Sequence, residues 1–243
     1  MRETLTTDEI KILIPVILGF LFAVLYLIET FVYSIREAGR SYGVIAMGYS
    51  LSTQFGTLAR MSTALAMPIV GYLLDNNISV HSIIIIPLTT AVIYCAVMLL
   101  VISCTDRFLL FVDLFFRWYI LKMYKIKSDK VSEKNSLSLS SPEKVRFVFI
   151  SSFASFFVVV VGIFISFILA SVYHDHRAMI MQSTVLVTSI GTLISVLVFD
   201  PMISSVLDRG GDYRFLLRII FISRSTAMLL MGLLLLLAYK IAL

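Results

Sequence analysis

Six long apolar segments, separated by short polar stretches, make up most of the chain. Each is long enough to cross a hydrocarbon core of about 30 Å, which needs about 20 apolar residues. Several are long enough to tilt or kink inside it. The pattern predicts an all-α polytopic membrane protein with about six transmembrane helices. The segments lie at residues 11–36, 43–74, 80–104, 146–173, 178–207 and 214–241.

A short motif in the second apolar segment returns in the fifth. Residues Pro68–Asp75 and Pro201–Asp208 share the pattern Pro-x5-Leu-Asp, and Gly-Thr-Leu precedes each, at Gly56–Leu58 and Gly191–Leu193. Three membrane-length segments separate the copies, so equivalent ends emerge on opposite sides of the bilayer. That arrangement is typical of the inverted-topology repeats of transporters, which alternate access to a site near the midplane.

The residues shared by the two copies of this motif carry structural expectations of their own. Pro68 and Pro201 each remove a backbone hydrogen bond, which predicts a kink or an interruption in the second and fifth helices and a hinge for motion. Asp75 and Asp208 are expected to cap helix ends, or to accept backbone hydrogen bonds, at the two turns. Asp200 immediately precedes Pro201.

The region between the third and fourth segments has a different character. Residues 107–124 alternate apolar and charged side chains at helical spacing and hold the only tryptophan, which predicts an interfacial helix on the membrane surface. Residues 125–144 are rich in Lys, Ser and Glu without apolar periodicity, as in a flexible linker. We therefore expect a three-helix repeat at 1–106, the helix and linker at 107–144, and a second three-helix repeat at 145–243.

Lys and Arg are distributed unequally between the two predicted sides of the membrane. The loops after segments one, three and five carry fourteen of these residues, and the opposite side carries four. By the positive-inside rule, both termini lie outside and residues 107–144 face the cytoplasm. The fourteen are Arg36, Arg40, Arg107, Arg117, Lys122, Lys125, Lys127, Lys130, Lys134, Lys144, Arg146, Arg209, Arg214 and Arg218.

The composition is typical of an integral membrane protein and not of a soluble domain. Hydrophobic residues form 59% of the chain, charged residues form 14%, and the mean hydropathy is +0.98, so lipid is the expected solvent. The excess positive charge follows the topology and indicates no nucleic-acid partner. A cleavable signal peptide is not expected, because the first apolar run is too long and acidic residues precede it.

The sequence contains no pattern typical of a metal, cofactor or catalytic site. Cys95 and Cys104 lie in or at the end of the third apolar segment without a His at metal spacing, and read as thiols in lipid. His174–His176 lies in an outside loop without further ligands, and a solvated turn is the favoured interpretation. HExxH, GxSxG and Gly-rich phosphate loops are absent. We therefore expect no metal, no cofactor and no catalytic residue.

Ionisable side chains within the spans are the main functional signal. Arg60 lies near the middle of the second segment, while Glu29 and Arg224 lie about two turns inside the first and sixth. Each such charge costs roughly 2.5–3.5 kcal/mol at a helix centre, so it should be paired or face water. Glu29 is able to neutralise either arginine and simply lock helices together. With Arg36 and Arg40, however, arginines outnumber intramembrane carboxylates, which favours an anion site, because guanidinium pairs bidentately with phosphate.

Helical spacing collects the polar residues of the first two segments into stripes. In the first segment one stripe leads toward the predicted cytoplasmic side. In the second, a hydroxyl stripe runs among small residues, which predicts a central helix beside close neighbours or a wet groove. The first stripe is Tyr26, Glu29, Tyr33, Arg36 and Arg40, and the second is Ser50, Thr53, Thr57, Arg60 and Thr63.

Several blocks of this sequence resemble the Amj-type lipid II flippases, the bacterial alternates to MurJ. Asp200-Pro201 and Ser223-Arg224 are similar to the carboxy-terminal half of that family, whereas the third and fourth segments and the central loop show no similarity. The blocks similar to the amino-terminal half are Ile28-Glu29-Thr30, Tyr33, Arg36, Gly39-Arg40, Gly43, Ile45-Ala46, Ser50-Leu51, Arg60-Met61-Ser62, Pro68, Gly71 and Asp75.

The resemblance implies a transporter of the bacterial cytoplasmic membrane, not an enzyme. Its implied partner is lipid II, the undecaprenyl-pyrophosphate-linked precursor that crosses to the outer leaflet for peptidoglycan synthesis and cell shape. The expected substrate-binding residues are Arg60, Arg224, Arg36, Arg40, Glu29, Tyr33, Ser62 and Ser223. The expected hinge and turn residues are Pro68, Asp75, Asp200, Pro201 and Asp208.

Three other functions remain open at this point. No residue pattern in the sequence indicates a binding site for the sugar or the peptide of lipid II, so another anionic polyprenyl lipid is an alternative substrate. A membrane enzyme acting on polyprenyl pyrophosphate needs an acid, base or nucleophile beside the arginines, but His81, His174 and His176 all fall on the opposite side. A scaffold of the cell-wall machinery is disfavoured by the charges inside the membrane.

Overall fold

A computed structural model describes residues 7–76, 78–124, 142–208 and 212–242. Within these residues the chain is helical, and six helical spans are long and apolar enough to cross a membrane. The prediction of an all-α polytopic protein is therefore confirmed. The elements are α1 (Thr7–Ser41), α2 (Ile45–Asp75), α3 (Val80–Ser103), α4 (Thr105–Tyr124), α5 (Pro142–Val172), a 3₁₀ turn (His174–His176), α6 (Arg177–Ile194), a π turn (Ser195–Phe199), α7 (Asp200–Asp208) and α8 (Tyr213–Ala242).

The helices of each half pack in the same order. Helix α1 packs against α2 and α3, and α5 packs against α6 and α8, while α3 and α8 join the halves. Aromatic rings fill the layer between α1 and α5, where Phe22 lies edge-on to Phe164 and Tyr26 lies edge-on to Phe156. Helices α1, α3, α5 and α8 therefore form the inner bundle, and α2 and α6 lie outside it.

The prediction that α2 is central in the bundle is wrong. Only 29% of its apolar window is buried, against 17% for the α6 span and 56% for α8. The polar stripe does not need neighbours, because its hydroxyls bond the carbonyls of their own helix. Thr53 donates to Tyr49 O at 2.9 Å and Thr63 donates to Ala59 O at 3.0 Å. Such back-bonding satisfies hydroxyl groups that face lipid or a groove.

Neither proline interrupts its helix. Helix α2 runs unbroken through Pro68, and Pro201 occupies the first turn of α7, where a missing N–H costs little. The departure from α geometry comes just before Pro201, in the π turn Ser195–Phe199. This π turn adds a residue to the helical turn immediately before Asp200. The predicted segment 178–207 is therefore three consecutive helical pieces.

Close contact between α1 and α2 depends on two glycines. A Cβ on Gly39 would lie 2.6 Å from the Gly48 Cα, and a Cβ on Gly48 would lie 2.8 Å from the Gly39 Cα. The turn between the helices uses Gly43 at φ 70, a left-handed conformation that favours glycine. Gly191 brings α6 equally close to α5, since its Cβ would lie 2.8 Å from Ser155 O.

The region between the halves is described only in part. Helix α4 covers the stretch predicted as interfacial and turns Leu110, Phe111 and Trp118 outward. It packs mainly on α1 and lies outside the six spans. The predicted linker 125–144 falls largely outside the described residues, which resume with α5 at Pro142.

Candidate functional site

Glu29, Arg60 and Arg224 line one small cleft in the middle of the bundle. Helices α1, α2 and α8 supply these three side chains, while α5 and α6 supply much of the opposite wall, including Phe156 and Thr192. The cleft has a water-accessible volume of about 10 Å³, which is room for a single water molecule. The spans therefore bring together the two arginines and the carboxylate that the sequence singled out.

Arg224 is almost fully buried, with 2% of its surface exposed. Its Nη1 donates to the Glu29 carbonyl oxygen at 3.2 Å and to Thr30 Oγ1 at 3.3 Å, and its Nη2 donates to Tyr33 Oη at 3.2 Å. Aromatic rings cover the guanidinium, with Tyr33 and Phe156 centroids at 4.8 and 4.9 Å. These acceptors are all neutral, so a buried positive charge is held by dipoles and ring faces alone.

One donor of Arg224 has no acceptor. Its Nε is buried, and no atom of the described residues accepts a hydrogen bond from it. An unsatisfied buried donor costs the full desolvation of the group, about 1–3 kcal/mol and more for a charged one. Arg224 thus borders the cleft with one enclosed N–H that has no acceptor, and an anion drawn to this guanidinium is the ligand that would recover most of that cost.

Glu29 does not form the ion pair with Arg60 or Arg224 that would simply lock the helices together. Among the described residues no salt bridge within 4.0 Å joins Glu29 to Arg60 or to Arg224. Arg60 is exposed on the cleft side of α2 and also has no ion-pair partner in this part of the chain. The site therefore contains two guanidinium groups and one carboxylate that share a cleft without direct pairing.

Arg36 lies two turns beyond Glu29 along α1, outside the residues that line the cleft, and pairs with Asp200. The Arg36 Nη1 and Asp200 Oδ1 atoms are 3.0 Å apart, and the side chains are 6% and 21% exposed. The guanidinium lies between the rings of Tyr33 and Tyr49, with centroids at 4.9 and 4.1 Å, and its Nε donates to Ser52 Oγ at 3.0 Å. This contact, which we call the Arg36 latch, joins α1 and α2 to α7.

A second ion pair closes the opposite end of the bundle. Arg177 Nη1 lies 3.7 Å from Asp75 Oδ1, joining the end of α2 to the start of α6, and Arg177 also contacts His174. The expectation that Asp75 caps its helix is wrong, because Asn76 occupies the C-cap position and the Asp75 carboxylate is 79% exposed beside Arg177. We call this contact the Asp75 latch. The side chain of Asp208 lies outside the described part.

The remaining predicted substrate-binding residues do not line the cleft. Arg40 pairs with Glu37 on its own helix, with Nε 3.2 Å from Oε2. Ser62 donates to Leu58 O, and the fully buried Ser223 donates to Ser152 Oγ at 2.8 Å. Tyr33 links the two regions, because its ring covers both Arg224 and Arg36 and its Oη accepts from Arg224.

Sequence reasoning missed several residues that support the site. Thr30 Oγ1 bonds Tyr94 Oη at 2.8 Å, which brings α3 into the Arg224 network. In the sequence, Arg177 is only one of the four basic residues on the predicted outer side, although it forms the second latch. A threonine near tyrosines on a helix, such as Thr30, is a common pattern, and so is a basic residue at the start of a helix, such as Arg177. Neither pattern predicts these contacts from the sequence alone.

Comparison with family models, curated proteins and solved structures gives no match for this chain. The Amj-type resemblance therefore remains an expectation from the residues quoted above. Function has to be inferred from the charges of the cleft and from the contacts that close it.

Proposed function

We propose that this protein is a flippase that moves the pyrophosphate headgroup of a polyprenyl lipid, of the lipid II type, across the membrane. The buried Arg224, with a vacant Nε and no carboxylate partner among the described residues, is the observation that supports this most. A structural arginine at that depth would be expected to hold a carboxylate. Arg224 and the unpaired Arg60 instead offer two forks to an anion.

The two latches suggest how the cleft is reached. The Arg36 latch and the Asp75 latch join the two halves at opposite ends, and the cleft between them has room for one water. A disaccharide-pentapeptide does not fit such a space, so the substrate enters only when one latch opens. Opening one end at a time is alternating access, with α2 and α6 as the moving helices because they are the least buried.

The polyprenyl chain does not need to enter the cleft. Helices α2 and α6 are each attached mainly to one neighbour, α1 and α5 respectively. A gap between them gives the headgroup a lateral path while the tail remains in lipid. Moving one negative charge outward against an inside-negative potential releases about 2.3 kcal/mol per 100 mV, so the potential is able to drive export of a pyrophosphate.

Transfer of lipid II by the purified protein in vesicles tests this proposal. We expect the headgroup of labelled lipid II to become accessible on the far face only in vesicles that contain the protein. Undecaprenyl phosphate in the same assay tests the alternative substrate. Release of inorganic phosphate from the lipid would identify an enzyme instead, and no transfer of either lipid would contradict the proposal.

Substitution of Arg60 should abolish transfer without preventing insertion. Arg60→Ala removes a guanidinium that forms no ion pair within the described residues, so we expect little loss of folded protein. Transfer should fall about 100-fold, and Arg60→Lys should recover part of it, because lysine keeps the charge and loses the planar fork. Gln54→Ala, two turns away on an exposed part of α2, is the matched control. Full transfer by Arg60→Ala would remove Arg60 from the site.

Breaking the Arg36 latch should open the cleft at that end. In a protein lacking Cys95 and Cys104, a thiol introduced by Thr192→Cys reports access to the cleft. Asp200→Asn leaves the buried Arg36 without its carboxylate. We expect the thiol to react about tenfold faster with a water-soluble reagent. Asp75→Asn should raise the rate less than threefold, because the Asp75 carboxylate is 79% exposed and an ion pair in contact with water is weaker. An unchanged rate in Asp200→Asn would mean that the latch does not gate the cleft.

Orientation follows from the positive-inside rule and has its own test. Glu143 at the start of α5 and Asp175 in the 3₁₀ turn are both exposed and lie at opposite ends of α5. We expect Glu143→Cys to be labelled only from the cytoplasm and Asp175→Cys only from outside. The reverse labelling pattern in intact cells would invert the proposed topology.

A further inference from the structure

Glu29 is the one acidic residue among the described residues that line the cleft with Arg60 and Arg224. Its side chain is partly buried, and no described residue donates a hydrogen bond to its carboxylate or forms an ion pair with it. A charged group inside the membrane is costly, and such groups are usually paired or face water. An unpaired carboxylate beside two guanidinium groups does not hold helices together, so its chemistry points to another role.

The hydroxyl groups that line the cleft do not stabilise an ionised Glu29. Ser155 and Thr192 each donate to a carbonyl of their own helix, at 3.1 and 2.9 Å, and a hydroxyl has only one proton to donate. Ser195 bonds the side chain of Tyr33. The remaining wall of α5 is apolar. The negative charge of Glu29 is therefore compensated only by the two guanidinium groups.

The charged groups that share the cleft with Glu29 come from two other helices. Arg60 of α2 and Arg224 of α8 are both cationic, and α5 and α6 contribute no charged side chain to the described walls. The other titratable neighbours are the phenols of Tyr26 on α1 and Tyr94 on α3. Phenols are neutral at pH 7. The empty cleft therefore holds two positive charges and one negative charge.

A pyrophosphate headgroup in the cleft reverses this balance. It brings about two negative charges and accepts hydrogen bonds from the guanidinium groups that compensate Glu29 in the empty cleft. A like charge nearby disfavours the ionised form of a carboxyl group, and the loss of a cationic partner has the same effect. Binding of a proton to Glu29 therefore becomes more favourable when the headgroup is present.

We propose that Glu29 takes up a proton from water when a polyprenyl pyrophosphate binds at Arg60 and Arg224, an inference that rests on the proposed function. The proton adds to a carboxylate oxygen of Glu29, and no other bond forms or breaks. The two guanidinium groups then face about two negative charges of the ligand. The proton crosses the membrane with the headgroup, so one fewer negative charge moves outward. Because linkage is reciprocal, a lower pH favours binding of the headgroup.

Calorimetric titration of the full-length protein in detergent with undecaprenyl pyrophosphate tests this inference. Titrations in two buffers of different ionisation enthalpy give the number of protons taken up per lipid bound. We expect the parent protein to take up about one proton more than Glu29→Gln. The phosphates of the lipid titrate with both proteins, so the difference isolates Glu29. Between about pH 6 and 8, the dissociation constant of the parent should rise up to about tenfold per pH unit relative to that of Glu29→Gln.

Two further variants and the melting temperature complete the experiment. Glu29→Asp keeps a carboxylate and should keep the proton uptake, and Asp175→Asn, which changes an exposed carboxylate in the 3₁₀ turn, should take up as many protons as the parent. Glu29→Gln should melt at the temperature of the parent, because no described residue pairs with Glu29. Equal proton uptake by the parent and Glu29→Gln would overturn this inference and leave the anion site intact. Failure of both proteins to bind the lipid would contradict the proposed function, and the inference with it.

Discussion

Arg224→Met should reduce lipid transfer by about 100-fold or more while leaving the protein folded. Methionine keeps most of the side-chain length but removes every donor. Charged hydrogen bonds contribute about 1.5–3 kcal/mol each, and losing two to the pyrophosphate accounts for this factor. Transfer of labelled lipid II in vesicles gives the measurement, at equal amounts of reconstituted protein.

The melting temperature of the Arg224→Met protein is a second measurement that tests this prediction. Arg224 donates only to neutral acceptors, the Glu29 carbonyl, Thr30 and Tyr33, and one of its N–H groups has no acceptor. We therefore expect the melting temperature in detergent to stay the same or rise, because an uncompensated buried charge is removed. Arg224→Lys should keep partial transfer. A large drop in melting temperature together with normal transfer by surviving protein would make Arg224 structural and contradict the proposed site.

Gly39→Val should have the largest effect on stability, because it separates two helices that touch through their backbones. The new Cβ would lie 2.6 Å from the Gly48 Cα and 3.0 Å from the Gly48 N, and neither backbone atom is able to rotate away. Overpacking of this kind costs about 1–3 kcal/mol. We expect the melting temperature in detergent to fall by about 5–10 °C. Displacing α2 also moves Arg60, so transfer should be lost as well.

Gly56→Ala is the matched control for this prediction. Gly56 belongs to α2, like Gly48, but a Cβ there meets no heavy atom within 4 Å. Alanine is also the better helix former by up to about 1 kcal/mol. The control should therefore be as stable as the parent protein or slightly more stable. Equal melting temperatures for Gly39→Val and the parent would mean that the α1–α2 crossing is looser than this geometry.

The pattern of apolar and polar residues within each segment was sufficient to predict the spans. It was not sufficient to predict how the spans pack against each other. The six predicted segments match the observed spans to within a few residues, because apolar length against the thickness of the bilayer is a property of each segment alone. The predicted central position of α2 failed. A stripe of hydroxyl and small residues has the same spacing whether it faces a neighbouring helix or bonds its own carbonyls, as Thr53 and Thr63 do.

The candidate site shows the same division. The sequence alone determined which charges lie inside the membrane, since Glu29, Arg60 and Arg224 stand in apolar segments whatever the fold. Only the tertiary structure decided that these three share a cleft, that Asp200 turns to Arg36, and that Asp75 meets Arg177. The physical reason is that the free-energy cost of placing a charge in the membrane depends on the segment that carries it. Which charges become neighbours depends on which helices pack together.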